Sequence, residues 1–282
     1  DPVEKYLYME YPYPMNTPST YKAAAFDLDG TLLRSDKSFS ELTLRTIRQL
    51  QDRGMLVIIA TGRSRESLEP FRSRLDVHTP IICYSGACVM EADTGEEQVH
   101  LTMPEPICRD IVTLSREFNL PLHAYSNHKL FYEPMSVRAR SYETLSRSSS
   151  VMVDFDSIVP LTFTKAMYIG DVPTIELIRA RLEESYPGEL SKVYTYLDYF
   201  EIMHARADKR YALEHVISQY GISRQETLAF GDGENDLEML KWAGHGVTMA
   251  NAPQEMLRQA RAIARSNDED GVARYLRELL DL

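Results

Sequence analysis

The stretch AAFDLDGTLL, residues 24–33, sets an apolar run that reads as a buried strand directly against two carboxylates, Asp27 and Asp29. Carboxylates at the end of a core strand are costly to desolvate unless they face water or something binds them. Gly30 and Thr31 follow at once, and Asp-Gly after a strand is ordinarily just a turn. The alternative is that the acids hold a cation and do chemistry, so the surroundings of this stretch decide its meaning.

Working outward, short apolar runs alternate with helical periodicity. Strands are expected at Ala23–Phe26, Met55–Ala60 and Ile81–Tyr84, with helices at Ser40–Arg53 and Ser64–Leu75. The first helix rests on Leu44, Ile47 and Leu50 behind Ser40 as N-cap. Runs such as LVIIA suit a parallel sheet covered on both faces, and the alternation implies right-handed βαβ crossovers. The same texture returns near the C-terminus, with strands at Thr227–Phe230, Gly246–Met249 and Ala262–Ala264. Helices there are expected at Asn235–Trp242, Pro253–Ala260 and Gly271–Leu280.

Between the halves the pattern changes. A hairpin turns about Asp93-Thr94-Gly95, followed by a helix near Pro106–Phe118 and strands near Leu122–Ala124 and Leu130–Glu133. A loop at 146–150, a strand at Thr164–Ile169 and helices at Thr174–Ser185 and Lys192–Met203 complete the segment. The expected fold is therefore α/β: a Rossmann-like parallel-sheet core with an inserted α+β cap domain. The boundaries read as core at 21–87 and 206–282 and cap at 88–205. Residues 1–20 read as a tail or vector leader, with Met15 as the natural start.

The chain has 282 residues, 44% hydrophobic, enough to bury cores for two domains. Its net charge of −11 argues against broad non-specific nucleic-acid binding but leaves room for a small anionic substrate beside a local cation. The three cysteines, Cys83, Cys88 and Cys108, lack metal-ligand spacing and read as reduced thiols of a cytosolic protein. No run approaches the roughly 20 apolar residues of a membrane span, and the N-terminus has no signal-peptide pattern. A cytoplasmic protein without nucleic-acid or membrane partners is expected; oligomeric state has no sequence signal.

Four motifs stand where strands end: DLDGT (27–31), ATGR (60–63), Lys209 within ARADKRYALEHV, and GDGENDLEM (231–239). Ligands of open α/β sheets bind outside the carboxyl ends of the strands. Taken singly, each motif has an ordinary structural reading as a turn, a helix entry, a solvated lysine or acids favouring a helix N-terminus. GDGEND lacks the third glycine of a dinucleotide fingerprint, and no P-loop occurs. All four in this order at sheet ends are not explained that way.

With these motifs the sequence resembles a phosphatase of the haloacid dehalogenase (HAD) superfamily, of the Cof-type branch whose large cap lies between the second and third motifs. The resemblance runs from about Tyr21 to the end and includes Asn251-Ala252 and Asn267…Asp270-Gly271-Val272. Two positions depart from the pattern: Arg210, where the family usually has Gly, and Ser85, where Asn is common.

The resemblance implies that Asp27 is the nucleophile, splitting phosphate-ester hydrolysis into transfer to an aspartyl-phosphate and its hydrolysis. It implies Asp29 as general acid and then base, and Mg²⁺ held by Asp27, the Asp29 carbonyl and Asp232. Lys209 and Thr61, with backbone N–H groups near Gly62, would stabilise the phosphoryl oxygens, while Asn235 and Asp236 orient the metal's waters and Lys209. Gly62, Arg63 and Asn235 are the implied substrate contacts. The implied substrate is a small phosphorylated metabolite, a sugar phosphate or a phosphorylated cofactor. Polar cap residues that are candidates to face it, each with an ordinary reading as a solvated or packing residue, are His123, Tyr125, Asn127, Arg138, Tyr142 and Tyr168. Two alternatives are a phosphomutase using the same aspartates and a metal-binding regulatory module without turnover; the intact motif set speaks against the second.

Overall fold

In the computed structural model, which describes residues 21–133, 150–196 and 199–282, the AAAF run is strand β1 (Ala23–Phe26), every residue of it buried. β2 (Leu56–Ile59) lies parallel to it. β3 (Ile81–Cys83), β4 (Cys88–Met90) and β5 (Glu97–His100) form an antiparallel sheet that continues past β2 through an Ala60–Ile82 bridge. The insert contributes β6 (Leu122–Ser126), β7 (Lys129–Tyr132) and β8 (Ser150–Met152). It also contributes β9 (Lys165–Ile169), β10 (Leu190–Tyr196) and β11 (Tyr199–His204). The chain then returns as β12 (Thr227–Gly231), β13 (His245–Met249) and β14 (Ile263–Ala264).

The central sheet has the order β14-β13-β12-β1-β2, all parallel. Its register aligns Phe26 with both Ile59 and Phe230, so the residues that follow these strands emerge at one level. The pleat divides the strand residues between two faces. Ala24, Phe26, Val57, Ile59, Leu228 and Phe230 pack beneath the helices Glu41–Asp52 and Gly271–Leu280, through Ile47, Leu50, Val272 and Leu276. Ala23, Ala25, Ile58 and Ala229 meet Leu213, Val216 and Met239 of the helices Lys209–Gln219 and Leu237–Trp242. Ser40 and Ser64 cap the helices that follow them, their hydroxyls accepting from Thr43 N (3.0 Å) and Ser67 N (3.3 Å).

The insert's six-stranded sheet has the order β10-β11-β9-β6-β7-β8. One face, with Leu122, Ala124, Ala166, Tyr168, Phe200 and Ile202, packs on the helices Glu105–Glu117 and Val172–Ser185. By the period of two, His123, Tyr125, Lys165, Met167, Glu201 and Met203 lie on the other face, and all six are buried as well. Tyr125 and Met203 belong to a hydrophobic cluster of the central sheet, so this second face looks toward the core.

One expected element needs correction. Lys192–Met203 is not a helix but the hairpin β10–β11, whose β-branched and aromatic residues pair in register with β9 through Phe200–Tyr168 and Ile202–Ala166. Of the cap candidates, Tyr168 takes the packing reading: it is buried in the insert and its hydroxyl donates to Ile111 O at 2.6 Å. The hairpin β4–β5, with which the segment read as the insert opens, packs Cys88, Val89 and Met90 into the clusters of the central sheet. The three cysteines are free and buried. Among the described residues no helix is long and apolar enough to cross a membrane. Residues 1–20, Arg138, Tyr142 and most of the 146–150 loop lie outside the described residues.

The chain passes to and from the insert around one short segment, Tyr84–Ala87. Ala87 O accepts from Leu101 N at 2.7 Å on the outward path. On the return path, a Cβ on Gly86 would lie 2.3 Å from Asp208 O. Gly86 has φ +97°, a backbone conformation that costs an L-residue about 1–2 kcal/mol. Gly86→Ala adds that strain to a backbone clash, so the variant is expected to lose about 2 kcal/mol or more of stability, read by urea unfolding.

Candidate active site

The level ends of β1, β2 and β12 place Asp27, Thr61 and Asp232 around one point. Asp27 leaves β1 still hydrogen-bonded to the sheet, its N–H donating to Phe230 O at 3.0 Å. The next turn must pass under the β12 loop: at Gly30, with φ +82°, a Cβ would stand 2.1 Å from Asp232 Oδ2. Glycine is required there by close approach as much as by conformation. Thr31 Oγ1 then donates to Asp232 Oδ1 at 2.8 Å, and Asn251 Nδ2 donates to Gly30 O at 2.9 Å.

Lys209 enters from the start of its helix with no solvent exposure. Its Nζ donates to Asp27 Oδ1 and to Asp236 Oδ1, each at 2.6 Å. The second oxygen of Asp236 accepts from Asp232 N (3.1 Å) and Gly233 N (2.9 Å), so this carboxylate organises the turn and the lysine together.

One buried ammonium does not balance this group of acids. Burial pushes the Asp27 carboxyl well above its usual range, and Asp236, Asp232 and Asp29 add to the effect against the pull of Lys209. Asp232 is raised to about 7, by burial and then by Asp236. Burial opposes the charge on Lys209, but Asp236 and Asp27 outweigh it and raise its pKa. Asp27, Asp232 and Asp236 each offer a carboxylate oxygen within 4.8 Å of the others. An all-oxygen donor set with uncompensated negative charge fits a hard divalent cation such as Mg²⁺. Asp236 spends one oxygen on Lys209 and the other on two main-chain amides, whereas Asp232 accepts one side-chain donor at 2.8 Å and a second only at 3.4 Å, which favours Asp27 and Asp232 as ligands.

Asp29 has a different environment. Arg63 grips it through Nε–Oδ2 (2.6 Å) and Nη2–Oδ1 (2.8 Å), and Lys37 Nζ reaches Oδ1 at 2.8 Å. Burial alone would raise its pKa, but these hydrogen bonds and charges prevail and lower it. The Arg63 guanidinium, expected to meet substrate, is turned to Asp29 and rests 4.7 Å from the Phe71 ring centroid.

Thr61 is buried, its Oγ1 accepting from Arg63 N at 3.2 Å. Asn235 Nδ2 donates to Ser85 Oγ at 3.0 Å, which gives one of the two departures from the family pattern a partner inside the site. The other departure points elsewhere: the Arg210 guanidinium lies over Tyr211 (4.5 Å) and near Trp242 (5.9 Å). The structure thus gathers Asp27, Asp29, Thr61, Gly62, Lys209, Asp232, Asn235 and Asp236. Sequence reasoning missed Lys37, whose loop carries no chemical spacing signal. It quoted Asn251 only as a family element, and it had no means of seeing that Lys165 Nζ donates to Gly62 O at 3.1 Å.

Comparison with known proteins agrees with this geometry. The model of the haloacid dehalogenase-like hydrolases matches residues 24–276. The chain is 32% identical over 272 residues to the 5-amino-6-(5-phospho-D-ribitylamino)uracil phosphatase YitU of Bacillus subtilis, covering 92% of this chain and 97% of that one. It is 29% identical to the HMP-PP phosphatase of Yersinia pseudotuberculosis, covering 92% and 96%. The crystal structure of a haloacid dehalogenase-like hydrolase from Bacteroides thetaiotaomicron superposes with a TM-score of 0.83 at 26% identity, over 92% of this chain and 99% of the other. The first and last motifs meeting on the buried lysine of the third, and likeness along nearly the whole chain, lead to one conclusion: this chain is an enzyme of the haloacid dehalogenase-like hydrolase family, on its phosphatase branch.

Proposed function

We propose that the protein is a Mg²⁺-dependent phosphatase that hydrolyses small phosphorylated metabolites through an aspartyl-phosphate at Asp27. The observation that carries the reading is the Asp27–Lys209–Asp236 bridge, which fixes one oxygen of a buried carboxylate on a cation at the end of β1. With Oδ1 engaged, Oδ2 of Asp27 attacks phosphorus, and the leaving alkoxide departs from the opposite side. Lys209 and the Thr61 hydroxyl, with N–H groups near Gly62, stabilise the phosphoryl oxygens. Asp27, Asp232 and the main-chain carbonyl of Asp29 would hold the Mg²⁺, whose positive charge offsets that of the phosphate. Asp236 positions Lys209, and Asn235, anchored by Ser85, orients groups at the rim.

Asp29 protonates the leaving alkoxide and later takes a proton from the attacking water. Clamped by Arg63 and Lys37 it is a carboxylate, the form that serves as base. Service as acid requires release from that clamp and uptake of a proton. The substrates named for the relatives, a phosphoribitylamino-uracil and HMP-PP, support a small phosphorylated metabolite here. We take residues 21–101 and 206–282 as the core and the segment between them as the cap that covers this site.

Two measurements test the reading. Wild-type protein is expected to hydrolyse 4-nitrophenyl phosphate with Mg²⁺ and not after chelation, and Asp27→Asn is expected to lose at least about a thousandfold. Substantial residual turnover in that variant would remove Asp27 from its role.

The second measurement concerns stability. Asp232 titrates near 7 in the folded chain against 3.8 as a free side chain, so between those values the folded state binds more protons than the unfolded one. Its contribution therefore falls as pH rises through this window and stays low above it. Relative to Asp232→Asn, metal-free wild type is expected to lose thermal stability from pH 4 to pH 8. Mg²⁺ at about a hundred times its Kd is then expected to return roughly 2.7 kcal/mol to wild type at pH 8, and far less to the variant.

A further inference from the structure

The face of the cap sheet that looks toward the core carries a charged pair deeper than packing explains. Lys165 and Glu201 are 3% and 5% exposed, and Lys165 Nζ donates to Glu201 Oε1 at 2.7 Å. The same Nζ donates to Gly62 O at 3.1 Å, across the boundary between cap and core. Gly62 borders the catalytic loops: a Cβ there would stand 3.2 Å from Ser85 Oγ and 3.8 Å from Asn235 Nδ2. The pair therefore sits where the cap meets the phosphoryl site. Its neighbour β10 lies against the Glu234–Asp236 turn.

The lysine donates to a carboxylate and a carbonyl, and its Nζ stands 5.6 Å from the Tyr125 ring centroid. Glu201 Oε2 is buried and has no hydrogen-bond partner among the described residues. Leaving a buried acceptor unmet costs about 1–3 kcal/mol, and more for a charged group. Where a buried ion pair serves only to hold two surfaces together, apolar residues of similar size commonly do as well or better. An unmet oxygen beside a catalytic loop is instead what a ligand site looks like before its ligand arrives.

We propose that Glu201, held in place by Lys165, is the cap's acceptor for a hydrogen-bond donor on the leaving group of the substrate. This rests on the phosphatase reading above and names the substrate chemistry. A carboxylate only accepts, so the partner is a hydroxyl or an amine, not a carbonyl or an ether. Its charge also repels a second phosphate or a carboxylate at that end of the substrate. Phosphate at Asp27 and a donor at Glu201 together orient a phosphorylated polyol or amino alcohol between core and cap.

The test compares ribitol 5-phosphate, sorbitol 6-phosphate and phosphoethanolamine with propyl phosphate, which has no donor on its carbon chain. In wild type, kcat/KM for at least one donor-bearing ester is expected to exceed that for propyl phosphate at least tenfold. In Glu201→Gln that ratio is expected to fall about tenfold or more, the range for a hydrogen bond to a charged group. Because the ratio is internal, a partly inactive preparation does not disturb it. The double variant Lys165→Met/Glu201→Met, which leaves no unpaired buried charge, covers the case in which Glu201→Gln does not fold, and its ratio is expected to approach one. An unchanged ratio in the folded variant overturns the proposal and leaves the phosphatase reading standing, as does a wild-type ratio near one. Failure of wild type to hydrolyse any of the four, or 4-nitrophenyl phosphate, overturns both.

Discussion

A lysine with no exposure at all can keep its charge only if carboxylates surround it, and Lys209 has two at 2.6 Å. That requirement draws together the end of β1, the start of the Lys209 helix and the Glu234–Asp236 turn, three segments distant in sequence. Each then constrains the next. Asp236 can bridge only if its other oxygen holds the amides of Asp232 and Gly233, which aims Asp232 back at the β1 loop. Asp232 in turn receives Thr31, and the contact is possible only because residue 30 has no side chain. The excess of negative charge that results is at odds with a self-sufficient structural network and in keeping with a place for a cation.

The acids of the DLDGT motif are thus separated by environment, although only one residue lies between them. Asp27 faces inward, is desolvated and is held by a lysine, so its pKa is raised. Asp29 faces Arg63 and Lys37, and its pKa is lowered. Carboxylates pushed in opposite directions are the usual sign of a division of labour. The cap sheet shows the same economy. Its pleat gives one face to an apolar core and the other to a buried surface with Lys165, Glu201 and His123 on it.

Much of this was legible in the sequence because it depends on where strands stop. AAFDLDGTLL, ATGR and GDGEND announce themselves as apolar runs broken by polar residues, and parallel register then carries them to one level. What was not legible depends on side-chain direction or on pleat phase. Arg63 is visible as part of a motif, but its turn toward Asp29 is set by Phe71 and by a loop thirty-odd residues earlier. Lys37 reaches the site only because the chain bends after Thr31. Lys192–Met203 mixes lysine, leucine and tyrosine in a way that suits either period, and pairing with β9 settles it as strands. Without that register, Tyr168 and Glu201 cannot be assigned to opposite faces.

The crossing at Tyr84–Ala87 bears on how the chain finds this structure. β1 must pair with β12, with the whole insert between them in sequence, and closing so long a loop is slow and entropically unfavourable. Yet Leu101 and Asp208, at the two ends of the insert, both touch this one short segment. With both ends of the insert seated on this segment, the loop to be closed between β1 and β12 is in effect a short one. An insert of another size with neighbouring ends would serve as well.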